Sequence, residues 1–319
     1  MKVAVLSFAH ERAETYVRLL RDLPGVDLVT ADPDAPPGDP ARGRALADRL
    51  GVTYLDDWDE VFASMPDAVV VTSEADRHVE LIERSGEAEA HVLCEYPLAT
   101  SAKDVKAIMD SCDMGGVRLR FASPAYFSEA FAAVRRGIAE GVVGTLTTVH
   151  GSYTTRPGAG GGALRANLPY LLDLVDAVLG GDPAEQVYAQ TNEALSAEPG
   201  VESAAVVAVR YRGGVVASFD CSHSLAADGG PAVTFVGDRA SVEYDACPRL
   251  LGGFDAATGD ERREPGGVDL YSVMVKDFVA AFETEQGNGP DGAAGLRAAR
   301  IVEAAYESAR TGQPVHLGR

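Results

Sequence analysis

Glu95, Tyr96 and Pro97 stand together in the stretch CEYPLA, directly after the apolar pair Val92-Leu93 and before a helix-like run, TSAKDVKAIMD. A carboxylate and a phenol held at a strand end can handle protons. The phenol both donates and accepts a hydrogen bond, and its ordinary pKa of about 10 falls only when a cation lies near. Lysines are scarce: Lys103 and Lys106 lie in the following helix, Lys2 opens the chain and Lys276 is near its end. Asp32 closes another strand-like run, VDLVTAD, just before Pro33. It reads equally as a turn residue and as an acceptor for a ligand's hydroxyls. The helix-like run NLPYLLDLVDAVLG carries Asn167, Tyr170 and Asp173. Tyr170 reads there either as an acid–base group or as an aromatic packed into the core.

The elements that must position these groups follow from periodicity. The first third alternates strand and helix. KVAVLSF is a continuous apolar strand, and ERAETYVRLLRDL has apolar residues at helical spacing. ARGRALADRLG reads as a helix with a glycine stop. DAVVVTS, HVLCEY and VRLRFAS are further strands separated by helices. This repetition predicts a doubly wound parallel sheet with helices on both faces. After about residue 123 the pattern changes. TLTTVHGSYTT alternates like a half-exposed strand, and long strand-like runs follow, joined by turns such as Arg212-Gly213-Gly214. That predicts a second, α+β domain with a large, mostly antiparallel open sheet. The division expected is 1–122 and 123–319. The chain is expected to close on helices around SVMVKDFVAAFE and GLRAARIVEAAYESAR, with a polar loop, ETEQGNGPDGAAG, between them.

A chain of 319 residues exceeds a single core. No run is long and apolar enough for a membrane span, and no secretory signal opens the chain. Cys94, Cys112, Cys221 and Cys247 form no CxxC, so no metal site is expected and reduced thiols in a cytoplasmic setting are. The net charge of −20 repels nucleic acid and anionic lipid. Spread along the chain, it suits a halophile, where salt screens the self-repulsion, and predicts stability lost as salt is removed.

Taken in order, these pieces resemble the Gfo/Idh/MocA oxidoreductases. HVLCEYPLAT looks like that family's HVLCEKPLA, and GGALRANLPYLLDLVDAVLGG occupies its active-site helix. The linker run RFASPAYFSEAFAAVRRGIAEGVVGTLTTVHGSY and the tail GLRAARIVEAAYESARTGQPVHL carry the likeness across nearly the whole chain. The resemblance implies an N-terminal Rossmann domain and a C-terminal substrate and oligomerisation domain. The implied activity is NAD(P)-dependent hydride transfer to or from a hydroxyl-bearing carbon of a sugar, inositol or related polyol. It implies a homodimer or homotetramer. Several family positions differ here. In LSFAHERA the glycine places read Ser7, Ala9 and Arg12, with Phe8 and His10 in the same turn. Asp32 takes the place of the acid that bonds the adenosine ribose, which favours NAD over NADP. Thr72, Ser73 and His78, in VTSEADRH, and Glu95 complete the expected cofactor side. Tyr96 stands for the family's lysine and Tyr170 for its histidine, the two candidate proton carriers. Ala166 replaces an aspartate, while Asp173 persists. Asn167, Asp173 and Arg156 are the expected substrate contacts, with His150 a spare polar group. The same departures suit a second reading, a non-catalytic paralogue serving as ligand sensor or partner subunit.

Overall fold

The structure is a computed structural model that describes residues 1–157, 161–196, 198–225, 230–247, 269–284 and 289–318. The chain divides into two compact units, Met1–Ala122 with Tyr271–Leu296, and Ser123–Leu270 with Arg297–Arg319.

The first unit opens with β1 (Lys2–Leu6), α1 (Ala13–Arg21), β2 (Asp27–Ala31), α2 (Gly43–Leu50), β3 (Thr53–Tyr54) and α3 (Trp58–Ala63). It continues with β4 (Ala68–Val71), α4 (His78–Glu87), β5 (His91–Cys94), α5 (Ala102–Gly115) and β6 (Leu119–Phe121). The six strands are all parallel, in the order β3-β2-β1-β4-β5-β6. β4, and β1 after Lys2, are apolar throughout because helices cover both faces, so alternation would leave polar groups buried. The strand order reverses between β1 and β4, which opens a crevice at their carboxyl ends. Ser7, Asp32, Thr72 and Glu95 each follow the last residue of one of these strands.

In the second unit a short 3-10 turn (Pro124–Phe127) leads into α6 (Glu129–Ala139). Next come β7 (Leu146–Thr155), α7 (Ala163–Leu179), β8 (Ala184–Asn192), β9 (Ala204–Tyr211), β10 (Val216–His223), β11 (Ala232–Gly237) and β12 (Ser241–Asp245). The remaining elements are α8 (Leu270–Thr284), α9 (Gly292–Thr311) and β13 (Val315–His316). The seven strands run β12-β11-β7-β10-β9-β8-β13. Every pair is antiparallel except β7 with β10. Burial alternates along β9 and β10 as a one-sided sheet requires. The covered face packs Val149, Val207, Phe219 and Phe235 against Leu168, Leu171 and Leu172 of α7. Gly151 permits that approach, since a methyl there would stand 2.8 Å from the Phe219 ring.

One expectation is corrected. The division at 122/123 gave all later residues to the second domain, whereas Tyr271–Leu296 clusters with the first unit. Met274, Val275 and Phe278 of α8 are buried, Arg118 donates to the Ala281 carbonyl at 2.9 Å, and the Phe121 N–H donates to the Pro290 carbonyl at 3.3 Å. Helical periodicity marks an apolar face but not the sheet it will cover. The polar loop expected at 283–295 falls partly on 285–288, outside the described residues, and α9 begins within it at Gly292.

Candidate active site

The turn after β1 keeps its shape without glycine. Ser7 adopts φ +76°, the left-handed conformation that glycine takes easily and serine does not. Local bonds hold it there. Its N–H donates to the Ala31 carbonyl at 2.7 Å, and the Thr72 hydroxyl donates to the Ser7 carbonyl at 2.7 Å. Three of the turn's N–H groups are paired inside the protein. That of Ala9 reaches the Ser7 hydroxyl at 3.2 Å, that of His10 the Thr72 carbonyl at 2.9 Å, and that of Arg12 the His10 Nδ1 at 3.2 Å. Arg12 becomes the N-cap of α1, with its guanidinium 5.4 Å from the centre of the Tyr271 ring. Phe8 is 5% exposed and belongs to the core rather than to a ligand.

Asp32 is closed by a residue that the sequence reading did not single out. Arg42, at the N-cap of α2, forks onto it: Nη2 to Oδ1 at 2.7 Å and Nε to Oδ2 at 3.0 Å. The Ser7 hydroxyl adds a bond to Oδ1 at 2.9 Å and the Gly43 N–H one to Oδ2 at 3.1 Å. The third arm, Nη1, holds Glu74 Oε1 at 2.7 Å. The Asp32 and Arg42 side chains are 0% and 14% exposed, and that of Glu74 is 45% exposed. The carboxylates keep the guanidinium firmly charged, the hydrogen bond to Asp32 contributing most. Breaking a buried pair by removing one partner costs about 3–5 kcal/mol. An exposed pair contributes only about 0.2–1 kcal/mol. Of the two carboxylates, Glu74 is therefore the one that leaves easily.

At the end of β5, Glu95 is 1% exposed and accepts the Tyr16 hydroxyl at 2.6 Å and the Tyr96 N–H at 3.3 Å. The Tyr96 ring is 7% exposed and lies 5.5 Å from the Phe121 ring, centre to centre. Thr72 and His78 both make bonds within the scaffold. Thr72 is spent on the Ser7 turn. His78 sits between two carbonyls, Nδ1 at 2.9 Å from Leu98 O and Nε2 at 3.0 Å from Ser73 O. Ser73 itself turns its hydroxyl to the Glu74 carbonyl at 3.3 Å.

Burial lowers the pKa of His78 against those hydrogen bonds, and burial likewise lowers His91 and His223. A base whose folded pKa is depressed is protonated first in the unfolded chain as pH falls. Its stability contribution is therefore intact above the unfolded value of about 6.5 and lost below it, down through the folded pKa. The Tm is expected to be level from pH 8 to 7 and to drop between pH 6.5 and 5, where most carboxylates are still ionised. A Tm unchanged across that interval rules the histidines out as the cause.

The second unit presents its candidates on α7. Glu202 fixes the start of this helix, with Oε1 accepting the Leu164 N–H at 3.0 Å and the Tyr306 hydroxyl at 2.8 Å. A carboxylate is favoured at the positive helix end. A Cβ at Gly162 would meet the Glu202 carboxyl group and push it from its place at the helix start. Asn167 is fully buried and spent. Its amide donates to the carbonyls of Tyr153 and Ser222, and its oxygen accepts the Thr155 hydroxyl at 2.9 Å. It staples α7 to β7 and β10, which corrects its assignment to substrate. Tyr170 is half-buried, edge-on to Tyr153 at 5.8 Å and 89°. Asp173 is 2% exposed, and Arg156 is exposed just beyond β7. His150 is exposed on β7, its Nδ1 2.8 Å from the Ser218 hydroxyl.

For a dinucleotide, the residues fit at the adenosine end. Ser7, Asp32 and Arg42 form a built polar corner at the strand reversal, where such a ligand lies. At the turn itself three amides are paired internally, and Arg12 is the cationic side chain beside them.

The family description "Oxidoreductase family, NAD-binding Rossmann fold" matches residues 37–123, and "Oxidoreductase family, C-terminal alpha/beta domain" matches residues 135–317. The first match begins after the Ser7 turn and Asp32. The D-xylose 1-dehydrogenase (NADP(+)) 2 of Haloferax volcanii is 27% identical over 88% of this chain and 90% of its own length. The inositol 2-dehydrogenase of Rhizobium meliloti is 26% identical over 84% of this chain and 86% of its own length. In fold, GenD2 from gentamicin A biosynthesis, solved with NAD, superposes with a TM-score of 0.83 over 100% of this chain and 97% of that one, at 24% identity. No helix of the described residues is long and apolar enough to cross a membrane. With both halves matched and the parallel and mixed sheets in place, the chain belongs to the Gfo/Idh/MocA family of oxidoreductases, whose cofactor class is the nicotinamide dinucleotide.

Proposed function

We propose that this protein is a NAD(P)-dependent dehydrogenase or reductase acting on a sugar, an inositol or a related polyol. The observation that carries the reading is the Ser7 turn. A serine held at φ +76° keeps the tight bend that a Rossmann crevice requires, beside an acid at the end of β2. The relatives' names, a xylose and an inositol dehydrogenase, support the substrate class. They divide on the cofactor, since the Haloferax enzyme is named for NADP(+) and GenD2 was solved with NAD. Asp32 by itself favours NAD, but its carboxylate is committed to Arg42.

When bound, the nicotinamide supplies or takes up the hydride. The chain's own part is to place the substrate and move one proton. Tyr170 is the proton carrier, because it is half-buried where Tyr96 is nearly enclosed. In reduction its hydroxyl gives the proton to the substrate's carbonyl oxygen and water returns it. In oxidation it must first lose that proton, so the alcohol-oxidising direction gains with pH. Glu95 orients the Tyr96 backbone and the Tyr16 hydroxyl, and Asp173 and Arg156 are the substrate contacts. The reduced, buried thiols of Cys94, Cys112 and Cys221 fit a cytoplasmic setting. The open face of the second sheet, with His150, Ser152, Val206 and Asp220, suits contact with a second copy. A ligand sensor or partner subunit without turnover is the second reading, favoured by the internal pairing of the Ala9, His10 and Arg12 amides.

The test is nicotinamide fluorescence with NADH and NADPH in molar-range KCl, chosen because of the acidic surface. Binding of at least one, followed by turnover in a polyol and aldose panel, is expected. Failure of both dinucleotides to bind would sink the dehydrogenase. Binding without turnover would favour the sensor.

A further inference from the structure

We propose that Arg42 reads the 2′ position of the adenosine ribose and that this chain takes the dinucleotide carrying a 2′-phosphate, NADP rather than NAD. The proposal rests on the nicotinamide reading and deepens it. The first ground is that Asp32 has no acceptor to spare. Its two oxygens offer about four lone-pair sites. They receive the Ser7 hydroxyl, the Gly43 N–H, and the Nε and Nη2 of Arg42. A ribose diol entering this corner finds the acid already saturated. It is accepted only if the buried fork opens, which would leave Asp32 enclosed without its cation.

The second ground is the outward arm of Arg42. Its Nη1 already grips an anion, Glu74, at 2.7 Å, and Glu74 is half-exposed. A phosphate monoester carries about −1.5 to −2 charge and three acceptor oxygens, against one charge and two oxygens for the carboxylate. It outcompetes Glu74 for the arm, and Glu74 swings into solvent without disturbing the Asp32 pair. Arginine suits this double duty because its planar fork serves one anion on the inner edge and another at Nη1. In the free protein Glu74 therefore holds the place of the 2′-phosphate.

The experiment measures dissociation constants for NADPH and NADH by fluorescence, at one fixed salt concentration. Adenosine 2′,5′-bisphosphate and ADP serve as competitors. NADPH is expected to bind at least about tenfold more tightly, and the bisphosphate to compete better than ADP by a similar factor. Glu74→Gln removes the competing anion and is expected to tighten NADPH several-fold while leaving NADH unchanged. Arg42→Lys keeps a cation beside Asp32 but loses the second arm, and is expected to bring the two dinucleotides close to parity. Should that variant fail to fold, Glu74→Gln still decides. Equal or tighter binding of NADH, or a Glu74→Gln effect common to both dinucleotides, overturns the proposal and leaves the nicotinamide reading standing. Failure of both dinucleotides to bind removes this proposal and the nicotinamide reading together.

Discussion

Arg42→Met is expected to lower stability by about 3–5 kcal/mol, a large effect for one side chain on a short connection. The methionine leaves the Asp32 carboxylate buried, with only the Ser7 hydroxyl and the Gly43 N–H as partners. Two neutral donors do not replace a bidentate cation in a site that water does not reach. In thermal unfolding the change is expected as a fall in Tm of roughly 10 °C. The paired substitution Asp32→Asn with Arg42→Met separates charge from packing. It removes the isolated carboxylate and leaves an amide whose oxygen accepts the Gly43 N–H and whose NH2 donates to the Ser7 hydroxyl oxygen, so most of the lost stability should return. A single Arg42→Met variant as stable as the parent protein would mean that the pair is solvated, and the account of Asp32 as saturated would fall with it.

Tyr170→Phe is expected to reduce kcat by about 10²- to 10⁴-fold, the range for loss of a positioned proton carrier. Phenylalanine retains the ring that meets Tyr153 edge-on, so Tm and dinucleotide affinity should hold. That combination of lost turnover, intact binding and intact fold distinguishes a chemical role from a structural one. Tyr96→Phe is expected to matter less to turnover, because that ring is nearly enclosed beside Phe121. Unchanged turnover in Tyr170→Phe would take the proton-transfer role away from this hydroxyl.

The scaffold was legible where one local rule governed it. Apolar-rich runs gave β1, β2, β4 and β5, and the switch to alternation marked β7, β9 and β10. The parallel pairing of β7 with β10 was not legible, because period-two alternation is the same for either strand direction. Nor was the partner of α8, whose apolar face names no sheet. At the site, the sequence picked out Asp32 by its place at a strand end but gave no sign of Arg42. A long-range ion pair leaves no periodicity, and one arginine among many looks like surface. An arginine opening the helix after a strand-end acid is the one clue that was there to be used. Asn167 misled for the opposite reason. A polar residue on a helix presumed to be functional reads as a contact, while its commitment to the carbonyls of Tyr153 and Ser222 emerges only in three dimensions.

The placement of Tyr271–Leu296 with the first unit bears on how the protein is made. The Rossmann sheet is encoded before residue 122, but the Tyr271–Leu296 segment of its unit, with the Pro290 carbonyl that meets Phe121, leaves the ribosome only after β7–β12. The seven-stranded sheet waits in turn for β13, which pairs with β8 from the far end of the sequence. Both units draw on residues beyond 270, so a nascent chain halted there carries two incomplete bodies, each with apolar surface still waiting for its cover.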